Sequence, residues 1–285
     1  MDKKVEILAK KVRYDILDML QHRGYGHLGG SLSLVELFAV LYGKQMKYDP
    51  KNPKWEGRDR VVLSKGHAGP VWYSTLSECG FFDKEKLMTL NDGGTMLPSH
   101  PDRTKTPGVD MTTGSLGQGT STAAGIATAL KMKHSDNSDN YVYLIVGDGE
   151  LNEGQCWEAF QYLANYKMNN CIVIIDDNKR QLDGYTKDVI NPFNIEAKMK
   201  AFGFNTQTVK GNDLDAIDEA ITKAKSVTDS AVCIVLDTIK GQGVKFFEEL
   251  LDNHSVKFNT EEVNRATDEA KASLKKEIEE EEQHV

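Results

Sequence analysis

Two short apolar runs, Tyr141–Val146 and Cys171–Ile175, constrain the fold of this chain more than any other feature. Each ends in a polar turn: Gly147-Asp148-Gly149 after the first, Asp176-Asp177-Asn178 after the second. A helical pattern, Glu153–Tyr166, lies between them, and Asn152 and Gln155 fit the capping pattern at its start. Asp148 and Asn178 are 30 residues apart, about the length that a strand–helix–strand crossover takes. Strands without polar alternation belong to a sheet covered on both faces. The expected fold is therefore α/β, a doubly wound and mainly parallel sheet with helices on both sides.

The rest of the chain agrees. Val5–Gln21 carries apolar residues at helical spacing, and a turn containing Gly26-His27-Leu28-Gly29-Gly30 follows. Ser31 or Ser33 can cap the next helix, which carries Leu34, Leu37, Phe38 and Leu41. Arg60–Leu63 reads as a buried strand, with helical patches at Pro70–Glu78 and Lys84–Leu90. Asn91–Thr113 is long, polar and aperiodic, a type of loop that usually carries function. Gly114-Ser115-Leu116-Gly117-Gln118-Gly119 opens an Ala-rich helix. Asn205–Val209, Leu214–Lys225 and Ala231–Leu236 form a further strand–helix–strand unit. Residues 1–258 are expected to form one domain, and residues 259–285 an acidic, solvated helix or tail.

Composition excludes several classes of function. A formal charge of −8 without a basic cluster argues against nucleic acid as a partner. No apolar run approaches the roughly 18 residues of a membrane helix, and no signal peptide is evident. The four cysteines are scattered without a CxxC pair, so neither disulfides nor zinc is expected and a reducing cytoplasm is the default.

The two strand-end turns are individually weak motifs. Together they place one carboxylate and one amide oxygen at neighbouring strand tips, where α/β sheets bind ligands. Such hard oxygen donors suit magnesium, which takes few protein ligands and fills its octahedron with phosphate and water. A backbone carbonyl just past Asn178 could be a third ligand, and the adjoining glycines let backbone approach a diphosphate. Gly114–Gly119 has the order G-x-x-G-x-G, which does not match the dinucleotide fingerprint, and no P-loop motif is present. His27, His67 and His100 each sit in a glycine- or proline-rich turn, which suggests a shared pocket. His22, His134 and His284 have no such setting, and His254 is ambiguous from pattern alone. Glu153 fits equally a first-turn helix carboxylate and a residue near the ligand.

These motifs, together with Asp59–His67, Ser99-His100-Pro101 and Thr113–Gly119 in the same order, resemble those of the transketolase family of thiamine diphosphate enzymes. The resemblance runs from about Val12 to His254 and implies these roles. His67, Gly114, Leu116 and Gly149 would line the cofactor's diphosphate and thiazolium end. Asp148, Asn178 and the Arg180 carbonyl would bind Mg2+, or Ca2+ or Mn2+ in its place. His27, His100 and His254 would face the sugar's reacting oxygens, and Glu153 would lie at the subunit interface. Ser255 after His254, Ser115 and Lys65 depart from the family pattern without removing a ligand. Complete family members are more than twice this length. The resemblance therefore implies the N-terminal subunit of a split transketolase that transfers a two-carbon unit between sugar phosphates, as a heterotetramer with a C-terminal subunit supplying the activating glutamate. The alternatives are another thiamine diphosphate transferase or lyase subunit, or a non-catalytic partner that kept the fold.

Overall fold

The structure, a computed structural model, describes residues 2–134 and 140–283; His284 lies outside the described residues. Five parallel strands form its sheet: β1 (Arg60–Leu63), β2 (Val142–Gly147), β3 (Cys171–Asp177), β4 (Asn205–Lys210) and β5 (Val232–Asp237). Their spatial order is β1-β2-β3-β5-β4. Register pairs Val142 with Cys171 and Ile172 with Val232, so the carboxyl ends of β2, β3 and β5 lie side by side. The doubly wound parallel sheet expected from the apolar runs is present.

The main helices are α1 (Lys3–Arg23), α2 (Val35–Val40), α3 (Gly69–Glu78), α4 (Gln118–His134), α5 (Gly154–Asn165), α6 (Leu214–Lys225) and α7 (Glu261–Glu282). Alternate residues of each strand feed two cores. Tyr143, Ile145, Ile172, Ile174 and Ile234 pack with residues of α1, α2, α3 and α6. Leu144, Val146, Val173 and Ile175 pack with Ala123 and Ala127 of α4 and Phe160 and Leu163 of α5. Both faces are covered, which is why these strands carry no polar alternation. The crossover through α5 covers one face and that through α6 the other, so the winding switches side beside β3. Open α/β sheets bind ligands at such a switch point.

Several local expectations are corrected. Ser33 caps no helix: its Oγ donates to the Gly30 carbonyl at 3.3 Å and to Asp176 Oδ2 at 2.7 Å. Ser31 Oγ donates to the His27 carbonyl. The cap of α5 is Glu153, without a side-chain bond. Asn152 instead donates to Gln181 at 3.1 Å and Gln155 to the Leu116 carbonyl at 3.0 Å. For Ser33, Asn152 and Gln155 an acceptor distant in sequence outcompetes the local backbone. Lys84–Thr89 is a 3-10 segment whose one buried residue, Leu87, offers no apolar stripe for a longer helix.

The long loop Asn91–Thr113 contains no regular element. Asp110 staples it to β1, accepting from Arg58 at 2.8 Å and from the Val61 amide at 2.9 Å. The acidic helix α7 lies antiparallel along α1, with Lys271–Asp18 near one end and Lys10–Glu277 and Lys10–Glu281 near the other. Thr267 and Leu274 are buried against the body, so α7 is docked by an apolar seam as well as by ions.

A buried ion pair joins α1 to α2 and to the loop after β5. Arg13 meets Glu36 at 2.5 Å, and Glu36 also accepts from Gln242 at 3.0 Å. Removing one member of such a pair strands the other charge, typically at about 3–5 kcal/mol. Glu36→Ala is expected to lower unfolding free energy by roughly that amount, with Arg13→Met/Glu36→Met recovering most of it. Denaturant titration of the three proteins measures this, and equal midpoints for Glu36→Ala and wild type would contradict it.

Candidate functional site

The carboxyl edge of the sheet gathers short turns from many parts of the chain. After β2 comes Asp148, nearly fully buried. Its Oδ1 accepts from the Gly149 amide and its Oδ2 from the Lys179 amide, each at 2.8 Å. After β3 comes Asn178, whose Oδ1 accepts from the Arg180 amide at 3.2 Å. Lys179, between Asn178 and Arg180, adopts φ 69°, a left-handed conformation that a non-glycine residue seldom takes. That bend aims the Lys179 amide at Asp148 and so clamps the two predicted oxygen donors together.

Asp148 is under electrostatic pressure. Burial first, then the negative charges of Asp176 and Asp177, push its carboxyl up to about 7. The Gly149 and Lys179 amides and the Lys65 charge offset part of that pressure, and a bound cation would offset more. Among the described residues no cluster of three or more His, Cys, Asp or Glu side chains could hold a metal. The donor set at this edge is one carboxylate, one amide and the Arg180 carbonyl, a set that fits a hard cation completing its shell with phosphate and water.

The four turn histidines converge. The His27 ring lies 5.7 Å from His67, 5.6 Å from His100 and 5.3 Å from His254, and His67 lies 4.8 Å from His254. His254, which sequence pattern left open, is thus part of the cluster. Asn253 places it, donating to the carbonyls of Lys240 and Phe247 while its own carbonyl accepts from the Gly29 amide at 2.9 Å. A side chain at position 29 would sit 2.6 Å from that carbonyl, so the close approach requires glycine.

All four imidazoles are kept neutral. Burial, then His100 and Lys240, push His27 down to about 4. Burial, then Lys240, pushes His254 down to about 3. His67 falls well below its usual range through burial and then Lys65, and His100 is lowered by burial. The Lys240 Nζ lies 3.1 Å from His254 Nδ1 and 3.4 Å from the Arg180 carbonyl. An ammonium only donates, so His254 Nδ1 accepts and its Nε2 carries the proton. Lys240 is buried yet makes no ion pair among the described residues, and burial followed by Lys65 pulls it down to about 8. Its charge is available to an anion.

The remaining predicted residues frame the cluster. Gly114 packs against the His100 ring, and a side chain at Gly66 would strike the Gly114 amide at 2.8 Å. Leu116 is half-buried, Gly149 abuts Gln181, and Glu153 is exposed at the start of α5. Glu150, which sequence reading passed over, ties these turns together. It is buried and accepts from Ser64 at 2.5 Å and from the amides of Gly117 and Gly147 at 2.7 and 3.1 Å. Lys240 also escapes the sequence reading, since nothing local in Thr238-Ile239-Lys240-Gly241 marks it.

Comparison with known proteins identifies the family. The family description "Transketolase, thiamine diphosphate binding domain" matches residues 4–279. The chain is 47% identical to the 6-deoxy-6-sulfo-D-fructose transketolase subunit SqwG of Clostridium sp. (strain MSTE9), covering 94% of this chain and 95% of that one. It is 35% identical to an apulose-4-phosphate transketolase subunit of Actinobacillus succinogenes, covering 95% and 96%. The transketolase structure from Campylobacter jejuni superposes with a TM-score of 0.85 at 32% identity, covering 95% of this chain and 43% of that one. The chain thus spans less than half the length of the solved transketolases it matches. With the family match, the relatives and the fold in agreement, the chain belongs to the transketolase family.

Proposed function

We infer that this chain is the N-terminal subunit of a two-chain transketolase, moving a two-carbon ketol unit from a ketose to an aldose. The observation that carries the reading is the convergence of the Asp148–Asn178 clamp and four neutral histidines on one sheet edge. When bound, thiamine diphosphate supplies the nucleophilic carbon for this transfer. Asp148, Asn178 and the Arg180 carbonyl hold Mg2+, with Ca2+ or Mn2+ as substitutes. His67, Gly114, Leu116, Gly149 and Lys240 cradle the cofactor. His27, His100 and His254 orient the sugar's hydroxyl and carbonyl oxygens, with His254 Nε2 as a donor.

A C-terminal subunit supplies the rest of the site, in a heterotetramer with Glu153 at the shared interface. Relatives matched over nearly their whole length are named as transketolase subunits, which supports a second chain at the site. The two subunit-type relatives are named for a sulfonated ketose and a phosphorylated one. We extend this to a ketose with an anionic group at its far end, the sulfonated sugar being the first candidate. No helix among the described residues is long and apolar enough to cross a membrane. Four free cysteines, three of them buried, suit a reducing cytoplasm.

The deciding experiment measures ketol transfer by the purified chain, by the matching C-terminal chain, and by both together. Only the mixture should turn over, and 6-deoxy-6-sulfo-D-fructose should outperform fructose 6-phosphate. Turnover by this chain alone, or no thiamine diphosphate binding by the mixture, would sink the reading.

Two variants probe the roles. Asp148→Ala removes the one carboxylate of the clamp. It should weaken Mg2+-dependent cofactor binding by more than the ~10–100-fold that follows loss of a mere supporting contact. Calorimetry of the assembled complex reads this, and an unchanged dissociation constant contradicts the assignment.

His27 sets a pH dependence. Its folded pKa lies below its ordinary value of 6.5, at about 4. Its contribution to stability is therefore present above about pH 6.5 and is lost as pH falls toward about 4. Asp148, pushed up, acts with the opposite sign, so wild type must be compared with His27→Gln. Between pH 6.5 and 4.5 the wild type should lose more denaturation midpoint than His27→Gln; parallel losses would rule out a buried neutral His27.

A further inference from the structure

Asp176 is the first residue of the Asp-Asp-Asn turn, yet neither the cofactor nor the sugar reading gives it a task. It is 0% exposed and sits near the end of the central strand β3. Four donors from four segments reach its carboxylate. Oδ2 receives Lys65 Nζ at 2.5 Å, Ser33 Oγ at 2.7 Å and Asn178 Nδ2 at 2.9 Å. Oδ1 receives Thr238 Oγ1 at 2.5 Å. Lys65, 1% exposed, supplies the opposite charge.

This arrangement decides the direction of an amide. The side chain of Asn178 has an oxygen end and a nitrogen end of nearly the same shape, and only hydrogen bonding distinguishes them. An ionised carboxylate accepts and never donates. It therefore draws the NH2 of Asn178 toward itself and turns Oδ1 the other way, where that oxygen accepts from the Arg180 amide. A second lone pair on Oδ1 remains. The Lys65 ammonium lies against Asp176 as its counter-ion. Ser33 and Thr238 stop the carboxylate from rotating.

We propose that Asp176, held by Lys65, Ser33 and Thr238, is the positioning residue that turns the Asn178 amide oxygen toward the divalent cation. The proposal rests on the reading of Asn178 as a cation ligand. Asp176→Asn is nearly isosteric but can donate. Lys65 would keep the new amide's oxygen at the Oδ2 position, so the Asn178 NH2 would meet a neutral, shared acceptor in place of a carboxylate and its oxygen would be aimed less firmly at the cation. The exchange Asp176→Asn/Asn178→Asp reverses the pair, with a donor at 176 and an acceptor at 178, at the same total charge; a carboxylate at 178 presents an oxygen to the cation whichever way it lies.

The test is Mn2+ binding by electron paramagnetic resonance, on the complex of this chain with its C-terminal partner and thiamine diphosphate. Asp176→Asn should bind Mn2+ about 10–100-fold more weakly, and the exchanged double variant should regain most of that loss. A residue with only a structural role would not be rescued by the swap. Selective 15N-asparagine labelling of the wild-type chain provides a second readout that needs neither variant nor metal. The Asn178 side-chain amide should be protected from solvent exchange and shifted by the carboxylate. Wild-type affinity in Asp176→Asn, no recovery in the double variant, or a freely exchanging Asn178 amide overturns the proposal alone. Failure of the wild type to bind Mn2+ overturns the cofactor reading, and this proposal with it.

Discussion

The donors that converge on the Asp176 carboxylate join the turn after β1, the segment before α2, the end of β3 and the end of β5. Burial alone would raise this carboxyl, but Lys65, Thr238 and Asn178 hold it below the usual range. A buried charge is tolerated only when it is paired and its lone pairs are filled. Moving any one of these segments would leave a charge or a donor stranded in the interior. The network therefore fixes the relative positions of the turns that carry His67, Asn178 and Lys240. Binding geometry here follows from the requirement that buried polar groups be satisfied.

A second layer works through the backbone. Gly29 lets the 253–254 turn lie against the 27–30 turn, and the Gly241 amide donates back to the Gly29 carbonyl at 3.0 Å. Gly117, at φ 81°, would drive a side chain into Gln155 or Glu153, and its amide is bound by Glu150. These contacts bring the His27 ring within 5.7 Å of the rings of His67, His100 and His254. Crowding and desolvation then keep the rings neutral, so that each imidazole can both donate and accept. The same edge concentrates unspent charge: Lys240, with no ion pair among the described residues, and Asp148 with a raised pKa. Both fit an anionic cofactor carrying a cation.

The sequence on its own determined the sheet class, the strands at 142–147, 171–177 and 232–237 within a residue or two, and the oxygen donors at their tips. It could do so because apolar runs and strand-end turns are local, and because parallel strands buried on both faces must be apolar throughout. It also placed His27, His67 and His100 in glycine- and proline-rich turns. Their meeting point was not local information: the separations along the chain span most of its length, and only the packed sheet brings the rings together. His254 joined them for the same reason, through the Asn253 contacts to residues 240 and 247. Capping at Ser33, Asn152 and Gln155 was misjudged because each side chain had a better partner far away in sequence. Glu150 and Asp176 read as turn residues in one dimension. Their roles appeared only when tertiary packing removed water and left their lone pairs to be filled by donors from other segments.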